Sequence, residues 1–148
     1  NWDELCNSSI TTQMFHGDMQ FDNIIKTNKD YTFIDWRDTF GDQTDYADSY
    51  YDLAKLYAGC MLPYSQIKKG NLNFAYENQE IIYDFPINNN LVDAKYEIEN
   101  FVKKKNLDLK KIRIISSLIF LNMSPLHTEP FSHLLYFLGI SKLAEALK

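Results

Sequence analysis

The chain is 148 residues long, 45% hydrophobic and 15% aromatic, which is enough apolar side chain for the core of one ordered domain of ordinary size. Its formal net charge of −5 argues against nonspecific binding to nucleic acid, because no basic excess exists to neutralise phosphates, yet it leaves room for a nucleotide whose charge a bound metal offsets. Cys6 and Cys60 form neither a CxxC pair nor a metal-ligand spacing and read as reduced thiols of an intracellular, cytoplasmic protein.

In chain order, residues 24–34 read first as a β-hairpin. Ile24-Ile25 and the run from Tyr31 to Ile34 are β-prone, and Thr27-Asn28-Lys29-Asp30 between them is turn-rich. A polar, Asp-rich stretch follows, and then a helix is predicted over about 46–58. Leu53, Leu56, Tyr57 and Cys60 share its apolar face, and Gly59 is expected to cap its end. Residues 62–86 read as irregular, with Pro63, Gly70 and Pro86 as breakers. From Leu91 onward the pattern is helical. Tyr96, Ile98, Phe101 and Val102 mark one helix. Asp108 is placed to cap the next, whose core face holds Ile112, Ile115, Leu118 and Ile119. Gly139 is expected to separate residues 131–138 from a last short helix at 141–147. The most apolar run, 112–123, is interrupted by Arg113 and by Ser116 and Ser117 and falls short of the ~20 residues of a membrane span; no signal peptide is visible.

Chemistry concentrates in residues 15–35, FHGDMQFDNIIKTNKDYTFID. His16-Gly17-Asp18 leads into the hairpin, Asn23 follows Asp18 by five residues, and Asp35 follows the second strand. If Ile24 and Ile25 pair with Phe33 and Ile34, Asn23 lies opposite Ile34 or Asp35, depending on the register the turn sets. Directly opposed residues of an antiparallel pair are about 5 Å apart. The Asn23 carboxamide oxygen and the Asp35 carboxylate can then share one hard cation. A few oxygen ligands, completed by phosphate and water, suit magnesium. Asp18 is left to face an acceptor.

The order HGDMQFDN, then IDW (Ile34-Asp35-Trp36), then Tyr51-Asp52-Leu53-Ala54 resembles the aminoglycoside and choline kinase-like phosphotransferases. In that family an HGDxxxxN catalytic loop precedes an IDW or IDF metal-binding segment, and protein kinases share the order of parts. The resemblance covers about residues 15–59. It implies a fold that is mainly α with a small β-hairpin, the C-terminal lobe of a protein-kinase-like (α+β) architecture. It implies magnesium-dependent phosphoryl transfer from ATP or another nucleoside triphosphate to a small hydroxyl-bearing acceptor. Asp18 would be the base or orienter of that hydroxyl, and Asn23 and Asp35 the magnesium ligands. His16 and Asp52 would support the loop, Asp52 by accepting backbone N–H bonds around residues 16 and 17. IDWRDTFG and YYDLAKLYAG are loosely similar to kinase-like proteins of capsule synthesis, which implies a sugar in surface-polysaccharide metabolism. Gln20 departs from the His of many members. The family's N-terminal lobe, with its phosphate-covering loop and Lys–Glu pair, has no counterpart here. The chain is therefore expected to be that lobe's C-terminal partner alone, inactive by itself and prone to self-association through the face the missing lobe would cover.

Each singled-out residue also has a plainer reading. Asp38, Asp42, Asp45 and Asp48 can hold a cation or serve as a solvated loop and helix cap, the reading preferred here. Arg37 can touch phosphate or acceptor, or pair with a nearby Asp. Trp36, Tyr50 and Tyr51 can stack on a ligand ring but more often form core. His127 and His133 lack partners at ligand spacing. Two rival classes remain: a kinase-like module that binds without catalysis, and a metal-dependent phosphoesterase, which would need more His ligands than three His in all can supply.

Overall fold

The computed structural model describes residues 2–7, 9–78 and 80–148. A short helix α1 (Trp2–Asn7) precedes β1 (Thr11–Thr12). The predicted hairpin follows as β2 (Ile24–Lys26) and β3 (Tyr31–Phe33), paired antiparallel with Ile24 opposite Phe33. Its turn closes on Thr27, whose amide and hydroxyl both donate to the Asp30 carbonyl at 2.8 Å. β4 (Ala47–Asp48) pairs antiparallel with β1. Helix α2 (Ser49–Met61) follows, then α3 (Tyr64–Lys68), the hairpin β5 (Asn73–Glu77) and β6 (Glu80–Asp84), and helices α4 (Asn89–Lys104), α5 (Leu109–Met123) and α6 (Phe131–Leu147). The architecture is α+β, helical in the main with small antiparallel two-stranded sheets. The chain divides into two compact units, Asn1–Leu56 and Tyr57–Lys148, with the boundary inside α2.

In the second unit the core gathers Ala58, Leu62, Ile67, Phe120, Leu134, Leu135 and Leu138. Helices α5 and α6 form its most extensive contact. Ser116 and Ser117 are fully buried on α5, and their hydroxyls donate to the carbonyls four residues back, at 2.8 and 2.7 Å, so small side chains admit close packing with no stranded polar group. Gly139 completes the contact. A Cβ there would lie 2.8 Å from the Leu121 side chain and 3.1 Å from the Ser117 carbonyl. Asp108 caps α5 as expected, its carboxylate accepting from the Lys111 amide at 3.1 Å.

Three expectations fail. Residues 62–86 are not irregular, because they hold α3 and a full hairpin. Phe74 and Tyr83, and Tyr76 and Ile81, face each other across it, and Asn78 takes a left-handed turn position with φ 51°. Gly59 does not end α2, which runs on to Met61. Gly139 does not separate two helices; it lies within α6, where the glycine answers the approach of α5 and not a turn. The predicted apolar face of α2 is also only partly right. Tyr57 and Cys60 are buried, whereas Leu53 and Leu56 are half-buried. Both cysteines are free thiols, Cys6 exposed and Cys60 buried. Among the described residues, no helix is long and apolar enough to cross a membrane.

Candidate active site

All the residues of the 15–35 segment lie in the first unit, where the start of α2 holds them in place. Asp52, in the first turn of α2, accepts hydrogen bonds from the His16 amide at 2.7 Å and the Gly17 amide at 2.9 Å. A side chain that accepts from two adjacent backbone N–H groups fixes the loop against the helix. The loop is fixed from its other side by the Arg37 amide, which donates to the His16 carbonyl at 2.9 Å. Gly17 sits at that crossing with φ +76°. A Cβ would stand 2.7 Å from Cβ of Arg37, so backbone conformation and space both call for glycine.

His16 is buried against Trp36, with ring centroids 4.9 Å apart, and edge-on to Phe33 at 6.2 Å. Its Nδ1 accepts the Asp18 amide at 3.3 Å. Nε2 is buried and has no hydrogen-bond partner among the described residues. His16 therefore shapes the loop by stacking and by one local bond.

Asp18 is 6% exposed and carries the charge of the site. Arg37 Nη2 lies 2.9 Å from Oδ2, and Lys55 Nζ lies 2.7 Å from Oδ1. Burial alone would raise the Asp18 carboxyl. Hydrogen bonding and charge from Lys55, and then from Arg37, outweigh it and hold the group below the ordinary carboxylate range. Lys55 is the residue that sequence reasoning missed. It stands three residues after Asp52 on α2, a spacing that puts both side chains on one helix face, and that spacing was the available signal. Arg37 takes the second of its two expected roles, a salt bridge to a nearby Asp.

Asn23 is buried at the end of a 3-10 turn, Phe21–Asn23, and its Nδ2 donates to the Asp18 carbonyl at 2.9 Å. With the nitrogen so used, no protein group among the described residues donates to its Oδ1. The Ile34 amide donates to the Asn23 carbonyl at 3.0 Å, so the register sets Ile34 opposite Asn23, with Asp35 one residue beyond. Asp35 is exposed, has φ 59°, and makes no hydrogen bond or ion pair among the described residues, though Arg37 lies within electrostatic range of it. A non-glycine residue in the left-handed region is strained, and such strain recurs at functional sites. Asn23 Oδ1 and the Asp35 carboxylate are thus oxygen groups without hydrogen-bond donors among the described residues, on neighbouring register positions, a donor set that suits magnesium completed by phosphate oxygens. Among the described residues, no three His, Cys, Asp or Glu side chains converge into a self-sufficient metal cage.

Of the acidic run, Asp48 works as a cap. Its Oδ1 accepts from the Ile10 amide at 3.2 Å and the Tyr50 amide at 3.0 Å, while Asp38, Asp42 and Asp45 are exposed. Tyr50 is buried, and Tyr51 packs edge-on against Phe40. His127 and His133 lie in the second unit, against Phe131 and Phe74 respectively. Compared with known proteins, the chain matches no family model, no curated protein and no solved structure.

Proposed function

We propose that this chain carries the acceptor-side and metal-side residues of a small-molecule kinase, which transfers a phosphoryl group from ATP or another nucleoside triphosphate to a hydroxyl. The observation that carries the reading is Asp18, a buried, ionised carboxylate on a loop held by Asp52 and bonded through its own carbonyl to Asn23. Asp18 would accept a hydrogen bond from the acceptor hydroxyl. A carboxyl held below its ordinary range is a weak base, so its part is to orient the hydroxyl more than to remove its proton early. Asn23 and Asp35 would hold magnesium, which supplies charge neutralisation for the donor phosphates when bound. Arg37 and Lys55, which flank Asp18, would keep its carboxylate ionised and lie beside the transferring group. A sugar of surface-polysaccharide metabolism is the proposed acceptor class.

The test is an ATP-dependent phosphorylation screen of a hydroxyl-compound library with the full-length protein, run beside Asp18→Asn. Transfer to at least one compound is expected, with a loss of ~10²–10⁴-fold in the variant. No transfer, or a variant within about threefold of wild type, would overturn the reading. The two ion pairs on Asp18 favour a second reading, a kinase-like binding module whose carboxylate is structural. That reading expects nucleotide binding by calorimetry without turnover.

A further inference from the structure

The second unit contains a cavity of about 550 Å³, a volume that suits a small organic ligand. It shares no residue with the Asp18 site. Two aromatic rings in its lining stack on each other: Tyr83 and Phe85 lie nearly parallel, 11° apart, with centroids at 6.0 Å. Cys60 adds to the apolar lining, because burial pushes its thiol up to about 11 and keeps it neutral.

The polar side of the cavity is unusual for a chain of net charge −5. Three cations line it, Lys95, Arg113 and Lys142. Arg113 is committed: its Nη2 lies 3.1 Å from Glu99 Oε1, to which the Tyr57 hydroxyl also donates at 2.6 Å. Lys142 is committed to Glu145 at 2.9 Å. Lys95 is bonded to no carboxylate among the described residues; its Nζ stands 5.6 Å from the centroid of the Tyr57 ring. Glu99 and Glu145 lie within electrostatic range of Lys95, but each is already bonded to another cation. With Arg113 paired to Glu99 outside the lining and Lys142 to Glu145, Lys95 is the lining cation without a bonded carboxylate among the described residues, its neighbour being the Tyr57 ring.

We infer that this cavity is a binding site for a small organic anion with a flat apolar body, the rings against Tyr83 and Phe85 and the anionic group on Lys95. Neither half of that ligand suffices. A polar anion would leave the apolar wall unfilled, and a neutral hydrocarbon would leave Lys95 part-desolvated without a counter-charge. The inference does not depend on the phosphotransferase reading.

The test uses the fluorescent probe 1-anilinonaphthalene-8-sulfonate with the full chain. Saturable binding of about one dye per chain is expected, since this cavity brings the Tyr83–Phe85 pair and Lys95 together. Lys95→Glu should weaken it at least ~10-fold, Lys95→Arg should keep it within about threefold, and Lys104→Glu, the same charge change at an exposed position of α4, should also leave it within about threefold. Circular dichroism checks that each variant is folded. Competition separates charge from shape: 2-naphthoate should displace the dye at least ~10-fold more effectively than 2-naphthalenemethanol, which has the same rings and no charge. Dye binding unchanged by Lys95→Glu, equal losses in Lys95→Glu and Lys104→Glu, or equal displacement by acid and alcohol would overturn the inference.

Discussion

Replacing Asp52 by alanine tests the loop clamp directly. The carboxylate accepts two backbone donors, the His16 amide at 2.7 Å and the Gly17 amide at 2.9 Å, the first buried and the second partly so. Stranding a buried donor costs ~1–3 kcal/mol, with the lower end for a group that water can reach, so Asp52→Ala should cost about 2–4 kcal/mol. That is a large share of the ~5–15 kcal/mol that holds a typical domain together. Asp52→Asn serves as the graded control. It keeps one acceptor oxygen but turns an NH2 group toward the other amide, so it should lose an intermediate amount. The sharpest assay is hydrogen exchange at the two amides themselves, read by NMR, with urea denaturation alongside. A loss of ~2 kcal/mol corresponds to about 30-fold faster exchange at His16 and Gly17. Exchange at both amides within about threefold of wild type in Asp52→Ala would refute the clamp.

Gly17→Ala should destabilise by at least ~1–2 kcal/mol from the left-handed φ alone and should also push Arg37 off Asp18, whereas Gly41→Ala, with φ +60° and open space around it, should show the backbone part only; denaturation of the pair, with a structure of the first, checks this. Lys55→Met should return the Asp18 carboxyl upward, because burial then meets less opposing charge, as a carbon-13 carboxyl titration would report. The sign for stability follows from the lowered group: its contribution is present above the unfolded value of 3.8 and is lost as pH falls through the folded one, so the stability gap between wild type and Lys55→Met should narrow from pH 7 toward pH 3, and a constant gap would count against the ion pair. Cys6 should react with a thiol reagent at pH 8 while Cys60 stays protected until unfolding. Cys60, raised from 9.0 to about 11, and Tyr57, raised from 10.0 to about 12, should both withdraw stability as pH climbs through 9–12, since the unfolded chain loses those protons first.

Local chemistry made part of this architecture readable. The first hairpin was legible because Thr27 and Asp30 are turn residues whose side chains and backbone bond each other, and Asp108 was legible because a cap needs only its own helix. The register of Asn23 was not, since it depends on how that turn closes, and a single residue decides whether Ile34 or Asp35 stands across from it. The second hairpin stayed hidden behind Pro63, Gly70 and Pro86. Yet Phe74, Tyr76, Ile81 and Tyr83 lie on the strands those breakers were taken to rule out. Gly139 looked like a helix end because a glycine's reason for being small is invisible until its neighbour, here Leu121, is in place. In the site, motif spacing singled out His16, Asp18, Asn23, Asp35 and Asp52. Lys55 escaped because its partner lies 37 positions away in sequence and the ion pair exists only after α2 has met the loop.

The two ion pairs on Asp18 have a thermodynamic consequence. Without ligand, Lys55 and Arg37 are internal counterions, and the centre presents little free positive charge to an incoming polyanion. On the proposed reading, a hydroxyl that hydrogen-bonds one Asp18 oxygen would loosen the cation held on that oxygen, which would then be available to an anion. Linkage makes the effect mutual: whatever the hydroxyl ligand adds to the affinity for the polyanion, the polyanion returns to the hydroxyl ligand in equal measure. On that reading, a centre wired this way would bind either ligand alone less tightly than the two together.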